Sequence, residues 1–138
     1  MTLLRRVAVA VIAGGSAVVG VWAQVFPRSF YDDFPGAGRV WVSVDGPFNE
    51  HLVRDVGGLN LALALVAVTA LLTGSVLLAR VTGAAALIYG GPHLVYHAAH
   101  LDAFDTGDKA ALIGSLGLAA AAAVVALVAP APTSSPRS

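Results

Sequence analysis

Cysteine is absent from this 138-residue chain, which excludes disulfides, thiolate metal sites and cysteine nucleophiles. Charge is scarce as well: 12% of residues are charged, where a soluble domain carries about a quarter. The formal net charge is zero, and nothing resembles the basic patch that nucleic acid demands. Neither a phosphate-binding glycine loop nor a dinucleotide fingerprint is present. Ser115 and the tail serines have no base near them in sequence, so a serine nucleophile is unsupported.

What fills the chain instead is apolar. Hydrophobic residues make up 57% of it and the mean hydropathy is +0.80. Alanine, valine and glycine dominate, and arginine is favoured over lysine, a bias that fits GC-rich bacterial coding. A spanning helix needs about 20 mostly apolar residues. Four such segments occur, over 7–26, 52–79, 81–101 and 110–129. Pro27 ends the first, and the helix of the second begins near Asn49. Arg80 marks the turn into the third, and Pro130 ends the fourth. The length leaves room for one domain, and no soluble core of this size buries four such segments. The expectation is an all-α integral membrane protein, a four-helix transmembrane bundle over 1–129. A long outer loop joins helices 1 and 2, and a disordered tail rich in proline, serine and threonine follows over 130–138.

Arg5 and Arg6, the apolar run behind them and Val21-Trp22-Ala23 also resemble a signal peptide, but the run is long enough to span and favours retention. Arg5, Arg6, Arg80 and Arg137 sit in short segments on one side, and all eight acidic residues fall on the other. The positive-inside tendency then places both termini in the cytoplasm of a bacterium, with the plasma membrane as host. The loop from Pro27 to Phe48 carries Phe30, Tyr31, Phe34 and Trp41, an aromatic set suited to lying on or capping the bundle. Within it, Arg39 to Val44 alternates with period two, as a short strand does.

Ionisable groups within membrane helices are costly and point to function. His93, His97 and His100 share one helical stripe, flanked by Tyr89 and Tyr96. On the preceding helix His51, Asp55, Gly58 and Ala62 share a face, the last two at the small-xxx-small spacing that lets helices approach. Antiparallel neighbours bring His97 and His100 to the depth of His51 and Asp55, with Gly20 and Gln24 of the first helix at that level. Glu50 reaches Arg54 as an anchoring pair, while Asp55 is directed to the histidines and suits orienting a ring N–H.

Three readings of this constellation stay open. It is a self-satisfied polar network, a pocket for a lipid, quinone or other small hydrophobic molecule formed by Gln24, Glu50, His51, Arg54, Asp55 and Tyr96, or a site where His93, His97 and His100 hold a divalent metal or a haem. The spacing H-x-x-x-H-x-x-H lacks the glutamate of the H-E-x-x-H metalloprotease motif. Asn60 points elsewhere and suits a single interhelical hydrogen bond. Pro92 suits a kink that re-aims the histidines. Gly14, Gly15, Gly114 and Gly117 read as packing surfaces.

The stretch His51-Leu-Val-Arg54-Asp-Val-Gly57-Gly58-Leu-Asn-Leu-Ala-Leu-Ala resembles the start of the second span in small four-helix bacterial proteins of the DoxX-like group. The plan of one long outer loop followed by three closely spaced helices is similar too. Some members of that group are associated with quinone-linked sulfur oxidation and others with partner membrane proteins. The resemblance implies a non-catalytic accessory subunit of a membrane complex, or a binder of a small hydrophobic ligand, with a membrane-protein partner or a second copy as its company. The alternative reading is a metal- or haem-dependent membrane redox enzyme that uses the histidines.

Overall fold

Local sequence signals set the helix ends. A computed structural model describes residues 1–130 and is all-helical apart from one small hairpin. Helix α1 covers Leu3–Val25, and Pro27 begins the short helix α2, Pro27–Asp33, at a position where its missing N–H costs nothing. Two-residue strands β1, Pro35–Gly36, and β2, Arg39–Val40, pair antiparallel. Then Asn49 accepts from the Leu52 amide at 3.1 Å and caps α3, Glu50–Thr73. Ser75 caps α4, Val76–Ala99, and Asp105 caps α5, Thr106–Val128, through the same kind of side-chain bond. The tail expected from Pro130 lies, beyond that residue, outside the described residues.

Two expectations are corrected by these ends. The break between α3 and α4 falls at Gly74 and Ser75, not at Arg80, which sits within the second turn of α4. Gly74 adopts φ +66°, a left-handed conformation that glycine takes without a Cβ clash, and Ser75 then restarts a helix. A charge interrupts hydropathy but does not interrupt a helix. The long connection between α1 and α3, in which only a short strand over 39–44 was expected, also holds the helix α2, a two-strand hairpin and a 3-10 turn over Ser43–Asp45.

Alanine makes up most of the buried apolar set, while many large apolar residues of the long helices lie outside. Ala67, Ala70, Ala79 and Ala126 are fully buried, while Leu72, Leu77 and Ile88 are each at least 70% exposed. A water-soluble domain arranges its side chains the other way round, and lipid-facing bundles use small residues to bring backbones close. Helices α1, α3 and α5 are each long and apolar enough to cross a membrane. Helix α4 matches them in length but carries Arg80, Pro92 and three histidines within or at its end.

The four long helices associate as two close pairs. Helix α1 lies mainly on α3, and α4 mainly on α5. Glycine makes both contacts possible. A Cβ on Gly20 would sit 2.9 Å from Leu61, one on Gly57 2.6 Å from the Gln24 amide nitrogen, and one on Gly83 2.6 Å from the Ala123 carbonyl. Gly14, Gly15, Gly114 and Gly117 have nothing within 4 Å of such a position, so these four are not the packing glycines. The starts of α1 and α4 meet the ends of α3 and α5 at one end of the bundle, the arginine end. Buried Arg5 anchors it, donating Nε–H to the Ala126 carbonyl at 3.0 Å and a second N–H to the Pro130 carbonyl at 3.3 Å. The opposite, histidine end carries α2, the hairpin and the loop between α4 and α5.

Candidate functional site

Between the two helix pairs lies a cavity of about 500 Å³. Close pairing within α1–α3 and within α4–α5 leaves the seam between the pairs looser, and the space opens there. Its walls are largely aliphatic, with Val19, Val56, Leu63 and Leu116 among them. Polar atoms enter from every long helix: Ser16 on α1, Asn60 on α3, Tyr89, His93 and His97 on α4, and Ser115 on α5.

The structured connection roofs this space. Phe34, Trp41 and Val42 line the cavity at the histidine end. Trp22, Phe30, Phe34 and Trp41 form a run of edge-on and tilted ring contacts with centroids 4.7–6.1 Å apart. Trp41 packs on Phe104 and Leu112, and its indole N–H donates to Asp108 Oδ1 at 3.0 Å. Arg39 forms an ion pair with the same carboxylate. One carboxylate at the start of α5 thus holds the roof by two side chains. The aromatic loop does cap the bundle, and its alternating segment forms strand only at Arg39–Val40.

Most of the residues anticipated as a site stand elsewhere. Arg54 pairs with Glu50 at 2.9 Å, as anticipated, and also donates to the Gln24 backbone carbonyl, tying α3 to the last turn of α1. The Gln24 side-chain oxygen is buried without a partner among the described residues. His51 and Asp55 do pair, at 3.2 Å, but with side chains 87% and 63% exposed. They meet neither His97 nor the cavity. The reason is a rotation of α3: it buries Val53, Gly57, Asn60, Ala64 and Ala67, so His51, Asp55, Gly58 and Ala62 turn outward.

On α4 the histidine stripe also divides. His93 and His97 stand together with ring centroids 4.7 Å apart, and Tyr89 stacks on His93 at 5.9 Å. His97 is buried and its Nδ1 has no partner among the described residues. His100, by contrast, closes α4 with Nδ1 2.8 Å from the Tyr96 carbonyl and stacks on the Tyr96 ring at 4.2 Å. Neither His100 nor Tyr96 lines the cavity. No group of three His, Asp or Glu side chains suited to a metal converges among the described residues, so the three-histidine set is not assembled. The opposed imidazoles that a haem would need, His51 against His97, are likewise not brought face to face.

Asn60 makes the interhelical bond its position suggested, Nδ2–H to the Tyr89 hydroxyl at 3.3 Å, and also donates to the Val56 carbonyl at 2.9 Å. Its place in the cavity wall was not foreseen, nor were those of Ser16 and Ser115. The signal was there: each is a lone polar residue deep in an apolar run, close to nine or ten residues from the end of its helix.

No family model, curated protein or solved structure matches this chain.

Proposed function

We propose that the chain is a four-span, DoxX-like bundle that binds a small hydrophobic molecule, such as a lipid fragment or quinone, in the cavity between its helix pairs. It acts without catalysis, as a ligand carrier or as the ligand-holding accessory subunit of a membrane complex. One observation carries this reading: an apolar cavity of about 500 Å³, walled by all four long helices and roofed by aromatic rings. That size falls within the range of small-molecule sites, about 300–1,000 Å³, and mostly apolar walls with a few converging polar groups are their usual composition.

The fourth span rests on α4. It is 24 residues long, its Leu77, Ile88 and Val95 side chains are exposed, and Arg80 lies near enough to the arginine end to reach an interface. On this reading both termini lie in the cytoplasm of a bacterial plasma membrane. Arg5, Arg6 and Arg80 lie in short segments at the starts of α1 and α4, where the positive-inside tendency acts most strongly. Arg28, Arg39, Arg54 and Lys109 at the other end are spread over α2, the hairpin and the starts of α3 and α5.

Native mass spectrometry of the protein released from a mild detergent, with extraction and identification of bound small molecules, tests the ligand reading. Ala119 lines the cavity. The wild type is expected to carry a stoichiometric small molecule that Ala119→Phe, which fills the space, loses without unfolding. Equal occupancy in both proteins, or none in the wild type together with no uptake of added apolar probes, overturns it.

A further inference from the structure

The polar atoms of the cavity fall on levels. Ser16 and Ser115 lie nine residues from the histidine-side ends of their helices, and Asn60 and Tyr89 lie ten. At 1.5 Å per residue these four stand together about 14–15 Å inside the histidine end. His93 and His97 sit about one and two turns above Tyr89, roughly 6 and 12 Å nearer the roof. Around His93, at the same depth, the rest of the wall is aliphatic, from Val19, Val56 and Leu112.

The deep level has hydrogen-bonding capacity in hand. Asn60 spends its amide hydrogens on Val56 and Tyr89, and its carbonyl oxygen accepts nothing from the described residues. The Tyr89 oxygen accepts, so its own O–H stays available, and the Ser16 hydroxyl has no partner among the described residues. Donors and an acceptor therefore converge. No arginine or lysine lines the cavity, so nothing there compensates a buried anion. The one carboxylate among its lining residues, Asp45, belongs to the 3-10 turn of the roof and not to the deep level. A saturated chain that enters tail first would press a methyl group on this level and strip it of water with nothing in exchange.

We infer that the cavity selects a compact, uncharged ring compound that carries a hydroxyl or carbonyl at its leading end and a second polar group at the histidine level, in preference to an acyl chain or a plain hydrocarbon of equal size. The inference rests on the ligand-binding reading of the cavity and specifies the chemistry of its occupant. A site that is built to hydrogen-bond a polar substituent discriminates strongly against the analogue that lacks it, because its own groups are then left unpaired.

Naphthalene and 2,6-dihydroxynaphthalene share a ring frame and test this directly. Their binding to the full chain in detergent can be followed by quenching of Trp41, a wall residue, in a Trp22→Phe background, with protein-free micelles correcting for partition. The dihydroxy compound is expected to bind about tenfold or more tightly than naphthalene. Asn60→Leu and, separately, Tyr89→Phe should each reduce that preference to about threefold or less while naphthalene affinity holds. The milder Tyr89→Phe keeps the test intact if Asn60→Leu does not fold. Naphthalene binding with no preference for the dihydroxy compound, or a preference untouched in folded variants, overturns the inference and leaves the cavity a general apolar site. Failure of every probe to bind, with Ala119→Phe indistinguishable from wild type, overturns the ligand-binding reading itself.

Discussion

Gly57 on α3 rides directly over the backbone of Gln24 on α1: a methyl group at Gly57 would fall 2.6 Å from the Gln24 amide nitrogen. Its neighbour Gly58 meets only the Gln24 side-chain oxygen, 3.8 Å away. Gly57→Leu must therefore push the helices apart. It is expected to cost about 1–3 kcal/mol or more, as overpacking does, whereas Gly58→Leu should stay within about 0.5 kcal/mol of wild type. Thermal unfolding of the two variants in detergent separates them, and a larger loss at Gly58 would mean that α3 is rotated from the orientation described.

Arg5 has no exposed surface and holds the Ala126 carbonyl near the end of α5. Hydrogen bonds from a charged group contribute about 1.5–3 kcal/mol. Arg5→Met, which keeps the stem and drops the donors, should lose stability of that order. Arg6→Met, with its side chain exposed, should lose much less. Equal melting curves for the two would contradict the anchoring role.

Asp108 is the fastening of the roof, through Trp41 at 3.0 Å and through Arg39. Asp108→Ala should shift Trp41 emission to the red as the indole meets water, and bound probes should dissociate faster. The four long helices should keep their circular dichroism. Unchanged emission and unchanged release would show that aromatic contacts alone hold the roof shut.

His51 and Asp55 are exposed, while His97 is buried in the cavity wall. His51→Ala and Asp55→Asn should each leave stability within about 0.5 kcal/mol and leave probe affinity unchanged. His97→Ala should weaken binding of a polar-ended probe. A binding loss at His51 comparable with that at His97 would restore the constellation read from the sequence.

The helical class and the membrane character were legible, because long apolar runs and scarce charge carry that information without any need for tertiary context. Helix ends were legible where proline or Asn49 marks them, and missed at Gly74-Ser75, where hydropathy stays high through the turn. They were missed also at Asp105, whose cap starts α5 four residues before the apolar run expected from 110. The site was only half legible. A helical wheel places His51, Asp55 and Gly58 on one face correctly, but which face turns inward depends on where a partner backbone fits. Gly57 and Gly58 are adjacent and equally small; only the fit against Gln24 distinguishes them. That rotation of about 100° between successive residues moved the cavity from the charged face to the face of Asn60. The His93 and His97 pairing survived because both sit on one helix, where spacing alone fixes geometry.

The bond from Arg5 to Ala126 spans 121 residues of chain. It ties α1 to α5, the first and last of the described helices. A nascent or truncated chain that lacks α5 has no acceptor for that guanidinium, no partner for Gly83 and one wall of the cavity missing. Closure of the described bundle thus depends on α5, and contacts of such long sequence separation are slow to form. The same latch that stabilises the finished protein makes an incomplete one recognisable, since a buried arginine without its carbonyl is a conspicuous feature in a membrane.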